Sequence, residues 1–175
     1  MMRTWEFSLV CFGIDDWTDE IVDHLHNKID DAAFGMSNGV LFAEFDREAD
    51  SASEAISGAV DDLERMQPLI TVDHVEPDEL VTMADIADRL NVSREAVRLW
   101  VTGLRGPGDF PRPAHNALGR SRLWHWPEVL LWVAQPDVGT HVGNDDIDLA
   151  VAIMGINQRL RARSVKAASL PGPAR

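Results

Sequence analysis

A helix over residues 94–103 would hold Arg94, Glu95, Arg98 and Thr102 on one side, while Ala96, Val97, Trp100 and Val101 fall on the other. Guanidinium forks, a carboxylate and a hydroxyl on one exposed helix face are groups that pair with base edges. Arg offers paired donors to guanine, and a carboxylate accepts from the amino group of cytosine. Ser93, directly before the run, is a good N-cap and joins the same surface. Downstream, Arg112, Arg120 and Arg122 crowd a Gly- and Pro-rich segment, with His115 and Asn116 between them. Such cations suit a phosphate backbone, whereas His115 and Asn116 read equally as contacts or as turn residues. Taken singly, each Arg also reads as a solvated charge, with Arg94 and Arg98 merely flanking Glu95. Their density in one short stretch favours nucleic-acid contact.

The elements that must position these residues are legible around them. Met83, Ile86, Ala87 and Leu90 make one apolar stripe, which predicts a short helix starting near Thr82 and ending at Asn91. Val92 can plug the gap before Ser93 starts the next helix, so the turn between the two is tight. Gly103, Gly106, Pro107 and Gly108 then break the second helix. Phe110-Pro111-Arg112-Pro113 leads into a hairpin whose returning strand spans residues 121–126. Pro127 and Glu128 open a last helix, in which Val129, Leu130, Trp132 and Val133 pack back on the first two. Trp100, Trp124, Trp126 and Trp132 follow the apolar faces and are expected in the core rather than as stacking platforms for bases. The expectation is a helix-turn-helix followed by a basic wing.

The run MADIADRLNVSREAVRLWV, then FPRP, then GRSRLWHWPEVLLWV, resembles the winged helix-turn-helix of the AlpA and excisionase-like regulators, relatives of the MerR DNA-binding head. The resemblance covers residues 81–133. It implies a recognition helix in the major groove and a wing on the neighbouring backbone. Ser93, Arg94, Glu95 and Arg98 would then face the groove, and Arg120 and Arg122 would hold phosphates. The connection over residues 103–108 is longer than the family's usual turn, which leaves its path open.

Charge divides the chain. Residues 1–80 hold 20 acidic against 4 basic residues, whereas residues 81–135 hold 5 against 7. Overall acidity opposes non-specific attraction to phosphate, but here it belongs to a separate domain. In that domain a strand is expected from Thr4 to Phe12, and Asp15 and Asp16 precede a helix carrying Trp17, Ile21, Leu25 and Ile29. Strands over 33–37 and 40–45 meet at Asn38-Gly39, a strong hairpin signal. Ser51 and Glu54 have capping-box spacing before Ile56, Val60 and Leu63, and a last strand runs over 69–75. The order βαββαβ predicts an α+β, ferredoxin-like domain over residues 1–76. A polar linker over 77–80 leads to the winged helix-turn-helix domain at 81–135. A C-terminal helix over 144–166 follows, with Ile147, Val151, Met154 and Leu160 on one side, then a disordered tail over 167–175. That helix could form a dimer, cover the DNA-binding head or dock on the first domain.

Little in the chain suggests catalysis or a cofactor. His24 and His26 are two apart on a helix and point to opposite sides, so Glu20, Asp23, His24, His26 and Asp30 read as solvated pairs, not a metal site. The single Cys11 sits in an apolar alternating run and reads as a small buried hydrophobe. No phosphate-binding glycine loop or nucleophile elbow is present. Arg3 is followed closely by Glu6, which is no signal-peptide pattern, and no apolar run reaches transmembrane length, so a cytoplasmic protein without a membrane partner is expected.

The expected function is sequence-specific regulation of transcription, bacterial or phage in type, on double-stranded DNA. The first domain would dimerise or sense a small-molecule effector. Large apolar residues on both faces of its sheet, with Trp5, Phe7 and Leu9 on one and Val10 and Phe12 on the other, suggest that a homodimer forms there. The alternatives are an antitoxin or adaptor whose acidic domain binds a basic protein, and a small enzyme on the ferredoxin-like domain.

Overall fold

Alternation makes the first strand amphipathic: in Arg3–Phe12 (β1), Trp5, Phe7 and Leu9 are buried while Thr4 and Glu6 are exposed. A computed structural model describes residues 2–14, 17–66, 70–77, 79–119 and 121–168 of the chain. Two compact units result, residues 1–77 with 152–175, and residues 78–151. In the first, β1 is followed by Asp19–Lys28 (α1), Ala32–Ser37 (β2), Val40–Ala49 (β3), Ala52–Met66 (α2) and Thr71–Glu76 (β4). The order βαββαβ is therefore as read from the sequence. The strands form one antiparallel sheet in the order β2-β3-β1-β4. Asn38 and Gly39, with φ of 51° and 77°, take the left-handed conformation that a tight hairpin between β2 and β3 requires.

One sheet face and α2 share the core. Phe7 stacks on Phe45 with ring centroids 5.3 Å apart, and α2 turns Ala52, Ala55, Ile56, Ala59, Val60 and Leu63 inward. The Ser51 hydroxyl starts α2 by accepting from Glu54 N at 3.2 Å, and Thr18 caps α1 in the same way. Trp17 lies before α1 rather than in it. Arg47 ties the elements together: it donates to Asp31 at 2.6 and 3.0 Å and to Asp62 at 2.9 Å. Cys11 is fully buried, and burial pushes its thiol up to about 12, which keeps it protonated and inert at neutral pH.

The opposite sheet face differs from the apolar patch expected there. Glu6, Glu44, Asp46, Glu48 and Glu76 are exposed on it, while Val10 is buried and Phe42 half-buried. Only Phe12, at 46 % exposure, is a large apolar side chain open to solvent on β1. Strand alternation placed these residues correctly. Acidic side chains occupy the rest of that face, from Glu44 opposite Ser8 to Glu48 opposite Thr4.

The second unit contains Leu80–Val81 (β5), Met83–Arg89 (α3), Arg94–Val101 (α4), Trp124–His125 (β6), Trp126–Val133 (α5) and a short 3-10 turn at Pro136–Val138. Its core joins Val81, Ile86, Ala87, Val97, Trp100, Trp124, Val129, Trp132, Val133 and Val138. The stretch read as a linker is partly structural: Leu80 and Val81 pair with His125 and Trp124, and Glu79 O accepts from Trp126 N at 2.7 Å. The expected returning strand over 121–126 is correspondingly cut to Trp124–His125, which pairs with β5, and it meets the first arm of the hairpin only where Leu123 bridges to His115.

Asn144–Ala168 (α6) is longer than expected, and its residues 152–168 belong to the first unit. They meet β4, whose outer edge would otherwise leave backbone groups without a strand to pair with. Asn157 supplies both partners, accepting from Val75 N at 2.8 Å and donating to Val75 O at 2.9 Å. Arg163 donates to Val72 O at 3.2 Å and grips both oxygens of Glu64. Of the three roles open to this helix in the sequence, docking on the first unit is therefore observed. No described helix is long and apolar enough to cross a membrane. Asp15, Asp16, Leu69, Arg120 and the tail from 169 onward lie outside the described residues.

Candidate nucleic-acid interface

Local chemistry builds the helix pair. Thr82 and Asp85 form a reciprocal capping box at the start of α3, with Thr82 N donating to Asp85 Oδ2 at 2.8 Å and Asp85 N donating to Thr82 Oγ1 at 3.2 Å. The Thr82 backbone N–H, and then its hydroxyl, hold the Asp85 carboxyl below its ordinary value. Asn91 turns the chain at φ 51°, and Val92 N reaches back to Ala87 O at 2.9 Å. Ser93 then caps α4, its Oγ accepting from Ala96 N at 3.1 Å. Val97 and Trp100 anchor α4 in the core, so Arg94, Glu95 and Arg98 are left exposed.

The glycine-rich connection also has a defined path. Gly103, at φ 71°, ends α4: Leu104 N donates to Leu99 O at 2.9 Å and Gly103 N to Trp100 O at 3.0 Å, the two bonds of a Schellman cap. The chain then passes over Trp132, whose indole N–H donates to Gly108 O at 2.7 Å. At Gly106 a Cβ would lie 2.8 Å from the Trp132 ring, so this position needs glycine for space as well as for its φ of 87°. Phe110 meets the edge of Trp132 at 4.9 Å, and the Trp124 indole N–H donates to Pro111 O at 3.0 Å. Trp100, Trp124 and Trp132 are core residues, as their spacing suggested, and Trp126 is half-buried beneath the Arg89 guanidinium at 5.2 Å.

The segment expected to form a wing is a minimal hairpin. His115 and Leu123 form a single bridge, and Gly119 N donates to Asn116 O at 2.7 Å across the tip. Asn116 has φ 52°, and its side-chain amide donates to Ser121 O at 3.2 Å, which occupies it in shaping the turn. The side chains of Arg112, His115 and Arg122 are exposed.

Several of the residues singled out in the sequence converge. Arg94, Glu95 and Arg98 from α4, Ser121 and Arg122 from the hairpin, and Thr82, Met83 and Ala84 at the start of α3 line one groove. Thr82 and Ser121 had not been singled out as its neighbours; a cap beside an exposed helix face was the available signal for Thr82. Arg112, His115 and Asn116 are not among the groove's lining residues. Thr102 stands at the far end of α4, where its hydroxyl donates back to Arg98 O at 2.8 Å, so that donor is spent on the helix itself. Arg98 is engaged as well. Its Nε and Nη2 donate to Glu95 at 2.8 and 2.7 Å, and this hydrogen-bonded pairing lowers the Glu95 carboxyl and raises the Arg98 guanidinium from their ordinary values. Among the described residues, no group of three or more His, Cys, Asp or Glu side chains could hold a metal ion.

Comparison with known protein families, curated proteins and solved structures found no match to this chain.

Proposed function

We propose that this protein is a sequence-specific DNA-binding regulator whose second unit is a winged helix-turn-helix and whose first unit has the ferredoxin-like arrangement. The observation that carries the reading is the groove in which Arg94 and Arg98 of α4 meet Arg122 of the wing. A short exposed helix with forked cations, beside a hairpin bearing another, offers base-edge donors and phosphate contacts at once. The two-helix turn closed by Val92 and Ser93 supports the same reading, as does the strand order β2-β3-β1-β4 for the ferredoxin-like arrangement. Double-stranded DNA is the proposed partner, bound by a homodimer because one short recognition helix reads few bases. The carboxylates on the open sheet face would oppose one another in a second copy, so that face gives the dimer no apolar anchor.

A selection of genomic fragments on the full-length protein tests the reading, with enrichment of a shared motif as the expected result. On the selected duplex, Arg94→Ala should cost roughly 1–3 kcal/mol while changing random-duplex binding less. Arg122→Ala should weaken all sequences alike and flatten the salt dependence by about one unit. Recovery of fragments no more related than the input would refute the assignment.

A second reading is favoured by the acidic open face of the first unit. There Glu6, Glu44, Asp46, Glu48 and Glu76 would suit a basic protein partner, making the chain an antitoxin or adaptor.

A further inference from the structure

Arg98 is already engaged on the exposed face of α4. Its guanidinium forms a two-point fork with Glu95, three residues earlier on the same turn. The two side chains are 49 % and 61 % exposed, so the pair contributes little to folding. Its position is what matters: it lies in a groove whose other cations are Arg94 and Arg122. Three unencumbered guanidinium groups in one groove would accept any phosphate. A carboxylate paired with one of them changes the class of ligand. Phosphate offers acceptors only, so it can displace the carboxylate from Arg98 but leaves Glu95 beside a like charge. A base edge that presents acceptors next to an amino donor satisfies both partners.

We propose that Glu95 is an intramolecular counter-ion that withholds Arg98 from phosphate and releases it only to a base edge offering acceptors to the guanidinium and an amino donor to the carboxylate. This rests on the DNA-binding reading above and adds to it the source of discrimination against non-specific duplex. In this scheme Glu95 both holds Arg98 and accepts the base's amino group.

The test is a double-mutant cycle on the full chain, comparing the unmodified protein, Glu95→Gln, Arg98→Ala and the double variant. Each is titrated over a salt series with a random-sequence duplex and with the duplex that the unmodified protein selects, and thermal melts check that all four fold. Glutamine keeps the shape of Glu95 and removes its charge. Releasing one cation adds about one displaced counterion, so Glu95→Gln should bind the random duplex about eightfold more tightly at about 0.1 M salt, with a slope steeper by about one. Binding to the selected duplex should improve less, and the specificity ratio should fall. With Arg98 already replaced, the same change should alter random-duplex affinity by less than about twofold. Equal gains in both backgrounds would make Glu95 an ordinary through-space charge and overturn the proposal. Unchanged random-duplex affinity in Glu95→Gln alone would overturn it too. A protein that selects no sequence at all instead removes the DNA-binding reading, and this proposal with it.

Discussion

Replacing Asn157 should destabilise the first unit far more than its place on a long polar helix suggests. Its side chain is 2 % exposed and makes paired hydrogen bonds of 2.8 and 2.9 Å to the backbone of Val75. Asn157→Ala removes both partners and leaves a donor and an acceptor on β4 unsatisfied, each costing about 1–3 kcal/mol if water cannot replace the lost group. A combined loss of about 2–4 kcal/mol is expected once partial rehydration of the edge is allowed for. At about 4–8 °C per kcal/mol for a unit of this size, the melting point should fall by at least ~8 °C. Calorimetry is the assay of choice, because Trp100, Trp124, Trp126 and Trp132 lie in the second unit and dominate fluorescence. Amide hydrogen exchange at Val75 gives the local readout, and its protection should fall with the loss of the Asn157 acceptor. Asn157→Asp sharpens the argument: it keeps the acceptor, lacks the donor and buries a charge. Its carboxyl should titrate above the ordinary value, so the added penalty is absent at low pH and grows as pH rises towards neutrality. By comparison Arg163, whose side chain is 45 % exposed, should cost little when truncated. A shift below about 2 °C for Asn157→Ala, with Val75 still protected, would refute the view that this amide stands in for a missing strand.

Two further predictions concern the second unit. Gly106→Ala should destabilise it by about 1–3 kcal/mol, since both the left-handed backbone and the Trp132 ring oppose a side chain, whereas Gly103→Ala, with open space around it, should cost about 1 kcal/mol; tryptophan fluorescence during urea unfolding separates them. Thr82→Ala should remove about 1 kcal/mol by opening the capping box. The backbone N–H of residue 82, which the variant keeps, and then the Thr82 hydroxyl hold the folded-state Asp85 carboxyl below its ordinary value of 3.8, so only the hydroxyl-to-carboxylate part of the loss is present above this value and fades as pH falls through the lower folded one, while the bond from Asp85 N to Thr82 Oγ1 does not titrate. Urea melts of Thr82→Ala and the parent should therefore differ most at pH 7, and the gap should narrow without closing in strong acid.

Much of the candidate site is legible without coordinates because its signals are local. Ser93 as a cap, a first helix running from near Thr82 to Asn91, the inward face of Val97 and Trp100, and the outward one of Arg94, Glu95 and Arg98 all follow from helical periodicity and from backbone preferences of single residues. The order βαββαβ follows equally from alternation in β1 and β3 and from Asn38-Gly39. Tertiary structure decided the rest. Which segment pairs with β6 depends on what the packed helices bring near it, and that segment is β5, a two-residue strand too short to show alternation. Whether the face of the first sheet without the packed helix is sticky depends on the whole row of cross-strand neighbours, where Glu44 faces Ser8 and Asp46 faces Glu6. Asn157 reads in sequence as a polar interruption among Ile153, Ile156 and Leu160. It becomes a structural partner only because the topology leaves the edge of β4 open, and a hydrogen-bonding debt created by residues 82 positions away is invisible to any local pattern.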